Sequence, residues 1–500
     1  MNIMMLLEMA KDACGDRTAF YDAASGQSIS YSGLFKAAEA KAQLLKESGA
    51  SRCVVLDVAN LTIPVALFSS SWAGIPYVPI NYRLTNQEID ALLERVKPAV
   101  LVTDSDRAAV FNGRKDLVVH DRTSFQATKP QQENEESWSF EPDDIASLLF
   151  TSGTTGTPKA AIMRQKHLVS YILQTIEFMS AEEDEATLVS VPPYHIAGIA
   201  SVISSVYACR KVVQLANFTP EEWLRIAREQ NVTTAFVVPT MLTRIVDSLE
   251  GAKTANLPML QSLSYGGGKM GHPTIARAME LFPETEFTNA YGLTETSSTI
   301  SVLGPEEHRS ASSSGDPAVQ KRLASAGLPV PGVEITVRDS SGDDVGSDVH
   351  GEIYVRGEQI SGEYEGRDSV VDADGWFPTK DAGYIDSAGY LFLEGRSDDV
   401  IVRGGENLSP GEIEDVLLEH HAIHDAAAIG VPSEEWGEAV VAVVQLNHDQ
   451  TVSTEELQAL VKSQLRSSRV PEKIEFWDEL PYNETGKLLR RVIREEFGKR

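Results

Sequence analysis

The chain has 500 residues, and its 44 Lys plus Arg against 73 Asp plus Glu give a formal net charge of −29. This length exceeds what one hydrophobic core usually organises, so at least two domains are expected. The acidic balance argues against a nucleic acid or an anionic membrane surface as the main partner.

The amino-terminal segment MNIMMLLEMAKDACGD lacks a basic leader, and Glu8 interrupts its apolar run. This pattern is typical of an amphipathic helix rather than a signal peptide. The three cysteines, Cys14, Cys53 and Cys209, form no CxxC pair, which disfavours a disulfide framework or a zinc knuckle. The most apolar later stretch, 196–208, is shorter than the roughly 20 residues that cross a bilayer. We therefore expect a cytoplasmic protein without a membrane span.

Short β-rich runs alternate with helical stretches from about residue 30 to 300. The runs at 53–59, 99–104 and 234–239 are rich in Val and Ala, and the helical stretch at 219–230 starts with Thr, Pro and two acids. Such starts are favoured at helix amino termini. This alternation of strand and helix segments predicts βα units and largely parallel sheets with helices on both faces.

The charged stretch KPQQENEESWSFEPDD, residues 129–144, is predicted to be a solvated linker. It leads into the apolar run IASLLF, which is predicted to be a buried strand. That strand delivers the loop described next.

The stretch LLFTSGTTGTPKAA, residues 148–161, is rich in hydroxyls and glycines. Backbone N–H groups at the end of a buried strand can surround phosphate oxygens, and Lys159 can neutralise them. A flexible connector is the alternative, but it does not need a lysine behind a proline-stiffened turn. The kinase-type pattern GxxxxGK[ST] is absent, because Lys159 follows Pro158 and precedes Ala160. The loop predicts a phosphate site of a different kind, built from Thr151, Ser152, Gly153, Thr154, Thr155, Gly156 and Lys159.

After about residue 325 the chain changes to short strands with Gly- and Asp-rich turns, which predicts a small antiparallel β-subdomain. Mixed α/β character returns after a hinge that we place at Asp398. The sequence thus predicts an α/β fold: a large amino-terminal domain over residues 1–397, with parallel-sheet βα subdomains and a β-rich part at about 325–397. A small α+β domain over 398–500 follows.

The loop at 148–161 resembles the signature of the adenylate-forming superfamily, which includes acyl-CoA synthetases, nonribosomal peptide adenylation domains and insect luciferases. The usual form ends in Pro-Lys-Gly, whereas this chain has Pro-Lys-Ala-Ala. Other segments resemble further motifs of the superfamily and occur in its order along nearly the whole chain: PPYHIAG (192–198), SYGGGKM (264–270), NAYGLTETSS (289–298), GWFPTKDAGYID (375–386), GRSDD (395–399) and LPYNETGKLLRR (480–491).

The resemblance implies an ATP site. In the superfamily, the tyrosine of Tyr-Gly-x-Thr-Glu stacks near the base, the threonine meets the α-phosphate and the glutamate helps to place Mg²⁺. These roles fall on Tyr291, Thr294 and Glu295, of which Thr294 and Glu295 are also predicted to be catalytic. The same resemblance assigns to ATP binding the residues Gly266, Gly267, Gly268, Asn289, Ala290 and Gly292.

Three charged residues complete the implied ATP site. Asp381 corresponds to the aspartate that holds the ribose hydroxyls, although Lys380 stands where glycine is customary. Arg396 is implied as a ribose and phosphate contact. Lys487, from the closing motif, is implied as the catalytic lysine that reaches the reacting carboxylate and the α-phosphate. Because Lys487 lies beyond Asp398, the small domain is expected to be mobile.

By the same resemblance, His195, Ile196 and Gly198 line the pocket for the acyl group. Taken alone, His195 on this apolar segment is more typical of a satisfied core histidine, and the surrounding motif favours the pocket role. The apolar, small residues of the predicted wall suit a medium, bulky or aromatic carboxylic acid, and the wall offers no partner for a substrate amine.

The segment VRGGENLSP, residues 402–410, offers Gly404 and Gly405, whose lack of Cβ lets the backbone approach a narrow pantetheine arm. By resemblance this face enters the active site for thioester formation, but a simple hairpin turn is an open alternative. Trp436 either stacks on the CoA adenine or packs the small domain. With an aspartate at the hinge, RGGENLSPGEIE resembles bacterial acyl-CoA and aroyl-CoA ligases.

The resemblance implies an AMP-forming carboxylate:CoA ligase that uses ATP, Mg²⁺ and coenzyme A with a small-molecule carboxylic acid. A stand-alone adenylation enzyme that loads a carrier protein shares the first step. A nucleotide-binding regulator without chemistry is disfavoured, since Glu295 and Lys487 are both present. The sequence is also compatible with a homodimer.

Overall fold

The structure is a computed structural model that describes residues 1–129, 136–151, 158–268, 270–404, 406–433, 435–483 and 487–498. Its α-helices span Ile3–Cys14, Tyr31–Glu47, Thr62–Ala73, Asn86–Val96, Ser105–Phe111, Arg122–Ala127, Gln165–Thr175, Ile196–Tyr207, Pro220–Glu229, Pro239–Ser248, His272–Leu281, Pro305–Ser313, Pro317–Gln320, Pro410–Leu418, Thr454–Gln464 and Arg490–Phe497. Within the described residues, none of these helices combines the length and apolar character that a bilayer crossing requires.

A nine-stranded sheet forms the largest layer of the fold. In spatial order its strands are Leu328–Pro329, Ser298–Leu303, Glu286–Leu293, Ser262–Gly266, Thr234–Val237, Ala186–Val189, Lys211–Gln214, Thr18–Asp22 and Ser28–Ser30. The six strands from Glu286–Leu293 to Thr18–Asp22 run parallel, and antiparallel strands close both edges. The strand Thr18–Asp22 shows that the βα region begins earlier than the predicted residue 30.

A second sheet of six strands is also mostly parallel. Its order is Leu117–Asp121, Ala99–Thr103, Arg52–Leu56, Tyr77–Pro79, Ile145–Thr151 and Lys159–Arg164. Only the last pair is antiparallel. Every residue of Ala99–Thr103 is buried, as expected for a strand covered on both faces. The two sheets confirm the predicted α/β class.

The helix Pro220–Glu229 shows how local chemistry sets an element boundary. Thr219 caps it by accepting a hydrogen bond from the backbone N–H of Glu222 at 3.2 Å, and Pro220 occupies the first turn. Its apolar positions are buried against the large core. The predicted helix start is therefore confirmed, and the capping bond is of a kind that typically contributes about 1 kcal/mol.

The predicted β-rich part is a four-stranded antiparallel sheet of Val333–Arg338, Gly351–Gly357, Phe377–Ile385 and Leu391–Arg396. Lys380 lies in its third strand with a φ of +63°, a left-handed backbone that glycine adopts without steric cost. A lysine at this position therefore carries local backbone strain.

The carboxyl-terminal part has its own sheet and its own apolar core. Four strands lie in the order Glu406–Leu408, Ile401–Arg403, Gly437–Leu446 and Ile423–Ser433, and Lys473–Phe476 pairs in parallel with Gly437–Leu446. A separate small α+β unit is consistent with this core. The exact domain boundary, 397 to 398, stays a prediction.

The linker predicted at 129–144 is not wholly solvated. Residues 130–135 lie outside the described part, and Phe140 is exposed, but Trp138 is buried. Its ring packs edge-on against Trp72 with ring centroids 5.0 Å apart. The charged neighbours of Trp138 predicted a solvated segment, but the buried Trp138 side chain holds the linker against the core.

Candidate active site

A cleft of about 1200 Å³ lies between the large amino-terminal part and the carboxyl-terminal part. Pockets for one drug-sized ligand usually measure about 300–1000 Å³, so this cleft has room for more than one substrate. It collects most of the described residues that the sequence predicts for ATP binding, together with the predicted catalytic lysine: Gly267, Gly268, Asn289, Ala290, Tyr291, Gly292, Asp381, Arg396 and Lys487.

Two glycines allow the strands under the cleft to approach closely. A Cβ added to Gly266 would lie 2.1 Å from the Ala290 carbonyl oxygen, and one added to Gly292 would lie 1.7 Å from the Ser298 carbonyl oxygen. Both distances are far inside van der Waals contact, so neither position accepts a side chain without moving the backbone. The glycines in these motifs thus shape the cleft wall.

Tyr291, Asp381 and Arg396 form one connected polar group. The Tyr291 hydroxyl donates to Asp381 Oδ2 at 2.6 Å, and Arg396 Nη1 donates to Asp381 Oδ1 at 3.1 Å. Arg396 Nη1 also donates to the Thr379 carbonyl oxygen at 3.1 Å. Burial and the neighbouring Asp381 charge raise the pKa of Tyr291. Each carboxylate oxygen keeps a free lone pair, so Asp381 can still accept bonds from a ribose.

Lys487 is presented to the cleft by a short closed turn. The Asn483 backbone N–H donates to the Lys487 carbonyl oxygen at 2.9 Å, and the Lys487 N–H donates to Asn483 Oδ1 at 2.8 Å. Burial lowers the pKa of Lys487, and the nearby Arg396 charge lowers it further, while Asp381 opposes the shift. Lys487 therefore lines the same cleft as Asp381 and Arg396 and lies within reach of their electrostatic influence.

The lowered pKa of Lys487 predicts a pH limit on the adenylation that the sequence resemblance implies. An ammonium group stabilises a phosphorane only while it is charged, so kcat/KM for pyrophosphate release should fall as the pH rises through the pKa of Lys487. Because that pKa is lowered, the fall should begin below the ordinary lysine value of 10.5. A pH profile of the enzyme measures it, and Lys487→Arg, which stays protonated, should move the fall to higher pH. An unchanged profile in Lys487→Arg would contradict this assignment.

Thr294 and Glu295 begin the 3₁₀ turn Thr294–Thr296, directly after Leu293 on the cleft wall. The Tyr364 hydroxyl donates to Glu295 Oε1 at 2.5 Å, and Lys159 Nζ lies 5.4 Å from the centroid of the Tyr364 ring. Tyr364 thus joins the predicted metal carboxylate to the predicted phosphate lysine. Sequence reasoning missed this residue, because the segment SGEYEG carries no chemical pattern of its own.

Of the predicted phosphate loop, Thr151 and Lys159 are described, and they pair at the ends of two antiparallel strands. Ser152, Gly153, Thr154, Thr155 and Gly156 lie outside the described residues. The strand after the loop is fixed from the far side by residues 362–366, here called the 362–366 segment. Its backbone pairs with Ala160 and Ile162, and Arg164 forms two bonds to Glu363 at 2.8 and 2.6 Å.

We expect Tyr364→Phe to lower pyrophosphate release by about 10-fold and to raise the Mg²⁺ concentration needed for half activity. The change removes the hydroxyl that orients the Glu295 carboxylate but keeps the ring that Lys159 faces. A Mg²⁺ titration of both enzymes measures the effect. Tyr354→Phe is the matched control, since the Tyr354 ring packs under Arg338 away from the cleft. Equal Mg²⁺ dependence in wild type and Tyr364→Phe would rule out this role for Tyr364.

Glu295 is the carboxylate that the sequence predicts as the protein ligand of Mg²⁺. Among the described residues, no three His, Cys, Asp or Glu side chains converge into a metal site. Mg²⁺ usually binds through one or two carboxylates plus substrate phosphates and waters, and Glu295, held by Tyr364 through one oxygen, fits that pattern. The residues present therefore suit an ion that arrives with the nucleotide.

The predicted acyl residues lie beside the cleft rather than on its main wall. His195 caps the helix Ile196–Tyr207, with Nδ1 accepting from the Ala197 N–H at 3.3 Å. Burial lowers the pKa of His195 to about 4, so the ring is neutral at physiological pH. Ile196 is buried in the core, and Gly198 lines a small apolar cavity behind the cleft.

The predicted CoA residues lie away from the cleft in this arrangement. Gly404 is at the turn between Ile401–Arg403 and Glu406–Leu408, and its N–H donates to the Trp436 carbonyl oxygen at 2.7 Å. The Trp436 side chain is 42% exposed and faces the Arg403 guanidinium at 5.4 Å. Gly405 lies outside the described residues. The backbone at Gly404 forms a hairpin turn, and a role of Gly404, Gly405 and Trp436 in CoA binding stays a prediction.

The predicted hinge lies in the 3₁₀ turn Ser397–Asp399. On one side, Arg396 is fixed to the large part by Asp381. On the other side, Asp399 accepts from Arg494 at 3.2 Å and lies 3.8 Å from Arg490, both on the last helix. Ser397 and Asp398 lie between these two anchors, and the hinge at Asp398 stays a prediction.

A cleft with glycine-lined strand ends, a tyrosine–aspartate–arginine group and a lysine from a second unit defines an adenylate-forming enzyme. Comparison with known families gives the same class. Residues 7–365 match the family model of the AMP-binding enzyme, and residues 412–487 match that of the AMP-binding enzyme C-terminal domain. The chain belongs to the AMP-binding enzyme family.

Named relatives align with most of the chain. A 2-succinylbenzoate–CoA ligase of Bacillus pumilus is 32% identical over 431 residues, 84% of this chain and 83% of the relative. The fatty acid–[acyl-carrier-protein] ligase ScoC of Streptomyces coeruleorubidus is 29% identical over 488 residues, 94% of this chain and 92% of the relative. The solved O-succinylbenzoate coenzyme A synthetase (MenE) of Bacillus subtilis, in complex with ATP and magnesium ion, matches with a TM-score of 0.82 and 27% identity, covering 97% and 98% of the two chains.

Proposed function

We propose that this chain is an AMP-forming carboxylate:CoA ligase, which converts a carboxylic acid, ATP and CoA into an acyl-CoA, AMP and pyrophosphate. The observation that carries the proposal is the position of Lys487 in the cleft, facing Asp381 and Arg396 of the other unit. A cation at that place suits a reaction that gathers negative charge on an α-phosphate. The coenzyme A synthetase and ligase names of two relatives support the same reaction.

In the first half-reaction, a carboxylate oxygen attacks the α-phosphorus of ATP and pyrophosphate leaves, giving an acyl-AMP. Asp381 holds the ribose, and Tyr291 and Arg396 keep Asp381 in place through its two oxygens. Lys487 and Arg396 offset the charge of the pentavalent phosphorus, and Thr294 meets the α-phosphate. Lys159, beside the strand end, faces the departing pyrophosphate.

Mg²⁺, when bound through Glu295 and the phosphates, would neutralise charge on the triphosphate. In the second half-reaction, the CoA thiolate attacks the acyl carbonyl carbon and AMP leaves with the bonding electron pair. For that step the small unit carries Lys487 away and brings Gly404 and its hairpin to the cleft, by rotation about Asp398.

The acid is of medium size, bulky or aromatic. The lining of the cleft includes the apolar side chains of Val191, Pro192, Leu215, Phe218 and Met241. These side chains suit the apolar body of such an acid. The 2-succinylbenzoate ligase relative acts on an aromatic acid by name, which supports this class.

A panel of carboxylic acids with ATP, Mg²⁺ and CoA tests the function. We expect pyrophosphate release with a subset of acids and AMP release that requires CoA. Absence of pyrophosphate release with every acid would overturn the proposal.

A carrier protein is the rival acceptor, and the ScoC ligase favours it by name. The same acids with a holo-carrier protein separate the two. Acyl transfer to the carrier but not to free CoA would select the carrier-loading enzyme. The cytoplasmic location and the homodimer stay predictions.

A further inference from the structure

A second, smaller cavity extends from the large cleft. It measures about 20 Å³, which is room for one water-sized group, and it shares Ala59, Val191 and Pro193 with the cleft. Gly198, from the predicted acyl wall, also lines it. The shared residues make this cavity a direct neighbour of the apolar part of the cleft.

Most of the cavity wall is aliphatic. It includes Ile63 and Leu67 from one helix, and Ile199 and Val202 from the helix that begins beside His195. No residue that lines it is charged, within the part of the chain that the structure describes. A charged substituent would lose its hydration there without a partner, so an ionised group does not suit this place.

Two polar groups break the aliphatic wall. Gln214 is 2% exposed and Tyr77 is fully buried, and both line the cavity. The Gln214 Oε1 atom and the Tyr77 hydroxyl oxygen are both buried without a hydrogen-bond partner. Buried polar atoms are nearly always paired in native proteins, because an unpaired one costs folding free energy. Both residues line the cavity, but their two oxygens lie just behind its wall, so a rotation of each side chain must accompany the pairing of these atoms with a group bound in the cavity.

A hydroxyl group satisfies both atoms at once, because it donates one hydrogen bond and accepts others. It would donate to Gln214 Oε1 and accept from the Tyr77 hydroxyl. A methyl group of similar size would fill the same space but leave both atoms unpaired. A carbonyl oxygen would satisfy only Tyr77.

We propose that the small cavity is the far end of the acyl pocket, and that Gln214 and Tyr77 select a carboxylic acid with a neutral hydroxyl group at its distal end. This inference rests on the proposed function, because it names the substrate class of the same site. Gln214 and Tyr77 are thus specificity-determining residues that touch the substrate far from the reacting carboxylate.

Matched pairs of acids test the proposal. Each pair consists of an ω-hydroxyalkanoic acid and the acid in which a methyl group replaces the hydroxyl. The pairs form a series of increasing chain length. Para-hydroxyphenyl and para-methylphenyl alkanoic acids form a second series. Pyrophosphate release gives kcat/KM for each acid, and the ratio of hydroxyl to methyl acid is the readout. At the length that reaches the cavity, we expect the ratio to favour the hydroxyl acid by about 10-fold or more.

The variants Gln214→Leu and Tyr77→Phe should each lower that ratio by about 10-fold. Thr234→Val is the matched control, because Thr234 Oγ1 is also buried and unpaired but does not line the cavity. It should leave the ratio unchanged. Thermal melting without substrate is a second measurement: Gln214→Leu should melt at or above the wild-type temperature, since it removes an unpaired polar atom.

The outcomes separate this inference from the proposed function. Pyrophosphate release from methyl acids with no hydroxyl preference at any length would overturn the inference, leave the ligase intact and assign the cavity to a trapped water. A ratio that Gln214→Leu and Tyr77→Phe leave unchanged would also overturn it, as would a steep loss of melting temperature in Gln214→Leu. Release from no acid at all would overturn the ligase itself.

Discussion

The variant Lys487→Ala is expected to lose adenylate formation by about 1000-fold or more while still forming acyl-CoA from supplied acyl-AMP. The lysine lies in the cleft beside Arg396 and Asp381, where its ammonium would offset charge that exists only while the α-phosphorus is pentavalent. The second half-reaction has no such phosphorus. Exchange of labelled pyrophosphate into ATP measures the first step, and acyl-CoA formation from acyl-AMP measures the second.

Lys473→Ala is the matched control for this result. Lys473 is an exposed lysine of the same unit that pairs with Glu475 at 2.7 Å and does not line the cleft. It should keep both half-reactions. An equal loss of both steps in Lys487→Ala would show that the lysine stabilises the unit rather than the first step alone.

The variant Asp398→Pro is expected to show the reverse pattern, with adenylation retained and thioester formation lowered by about 100-fold. Arg396 is bonded to Asp381, and Asp399 is paired with Arg490 and Arg494. A rotation of the small unit that keeps both sets of contacts must therefore change the backbone angles of Ser397 or Asp398. Proline fixes φ near −65° and prevents that rotation at one of the two residues. A 100-fold loss corresponds to a barrier that is higher by about 2.7 kcal/mol.

Asp398→Ala separates the backbone from the side chain. It removes the carboxylate but leaves φ free, so both half-reactions should remain close to wild type. The same two assays with pyrophosphate exchange and supplied acyl-AMP apply. Thioester synthesis at the wild-type rate by Asp398→Pro would place the pivot elsewhere.

Much of the site follows from local sequence patterns. Tyr291, Asp381, Arg396 and Lys487 come from four separate motifs, and the structure places all four on one cleft. Their types were informative because each carries a distinct chemistry within a recognisable run. The sheets followed from the β-rich runs for the same reason, as the fully buried strand Ala99–Thr103 illustrates.

The missed residues act through contacts between segments that are distant in the chain. Nothing in SGEYEG indicates that Tyr364 reaches Glu295, and nothing in KVVQ indicates that Gln214 shares a cavity with Tyr77. Trp138 was hidden for a related reason, since its acidic neighbours dominate the local pattern while its own ring is buried. Composition reports the average of a segment, whereas burial of a single side chain is decided by the fold.

The 362–366 segment has a consequence for biogenesis. Arg164 is bonded to Glu363 across 199 residues of chain, and Arg52 to Glu365 across 313. Contacts of such long separation form late, because a large loop must close before they gain anything. During synthesis the strand Lys159–Arg164 lacks these contacts until residue 365 has left the ribosome, so the site proposed for the nucleotide is completed only after most of the chain has been translated.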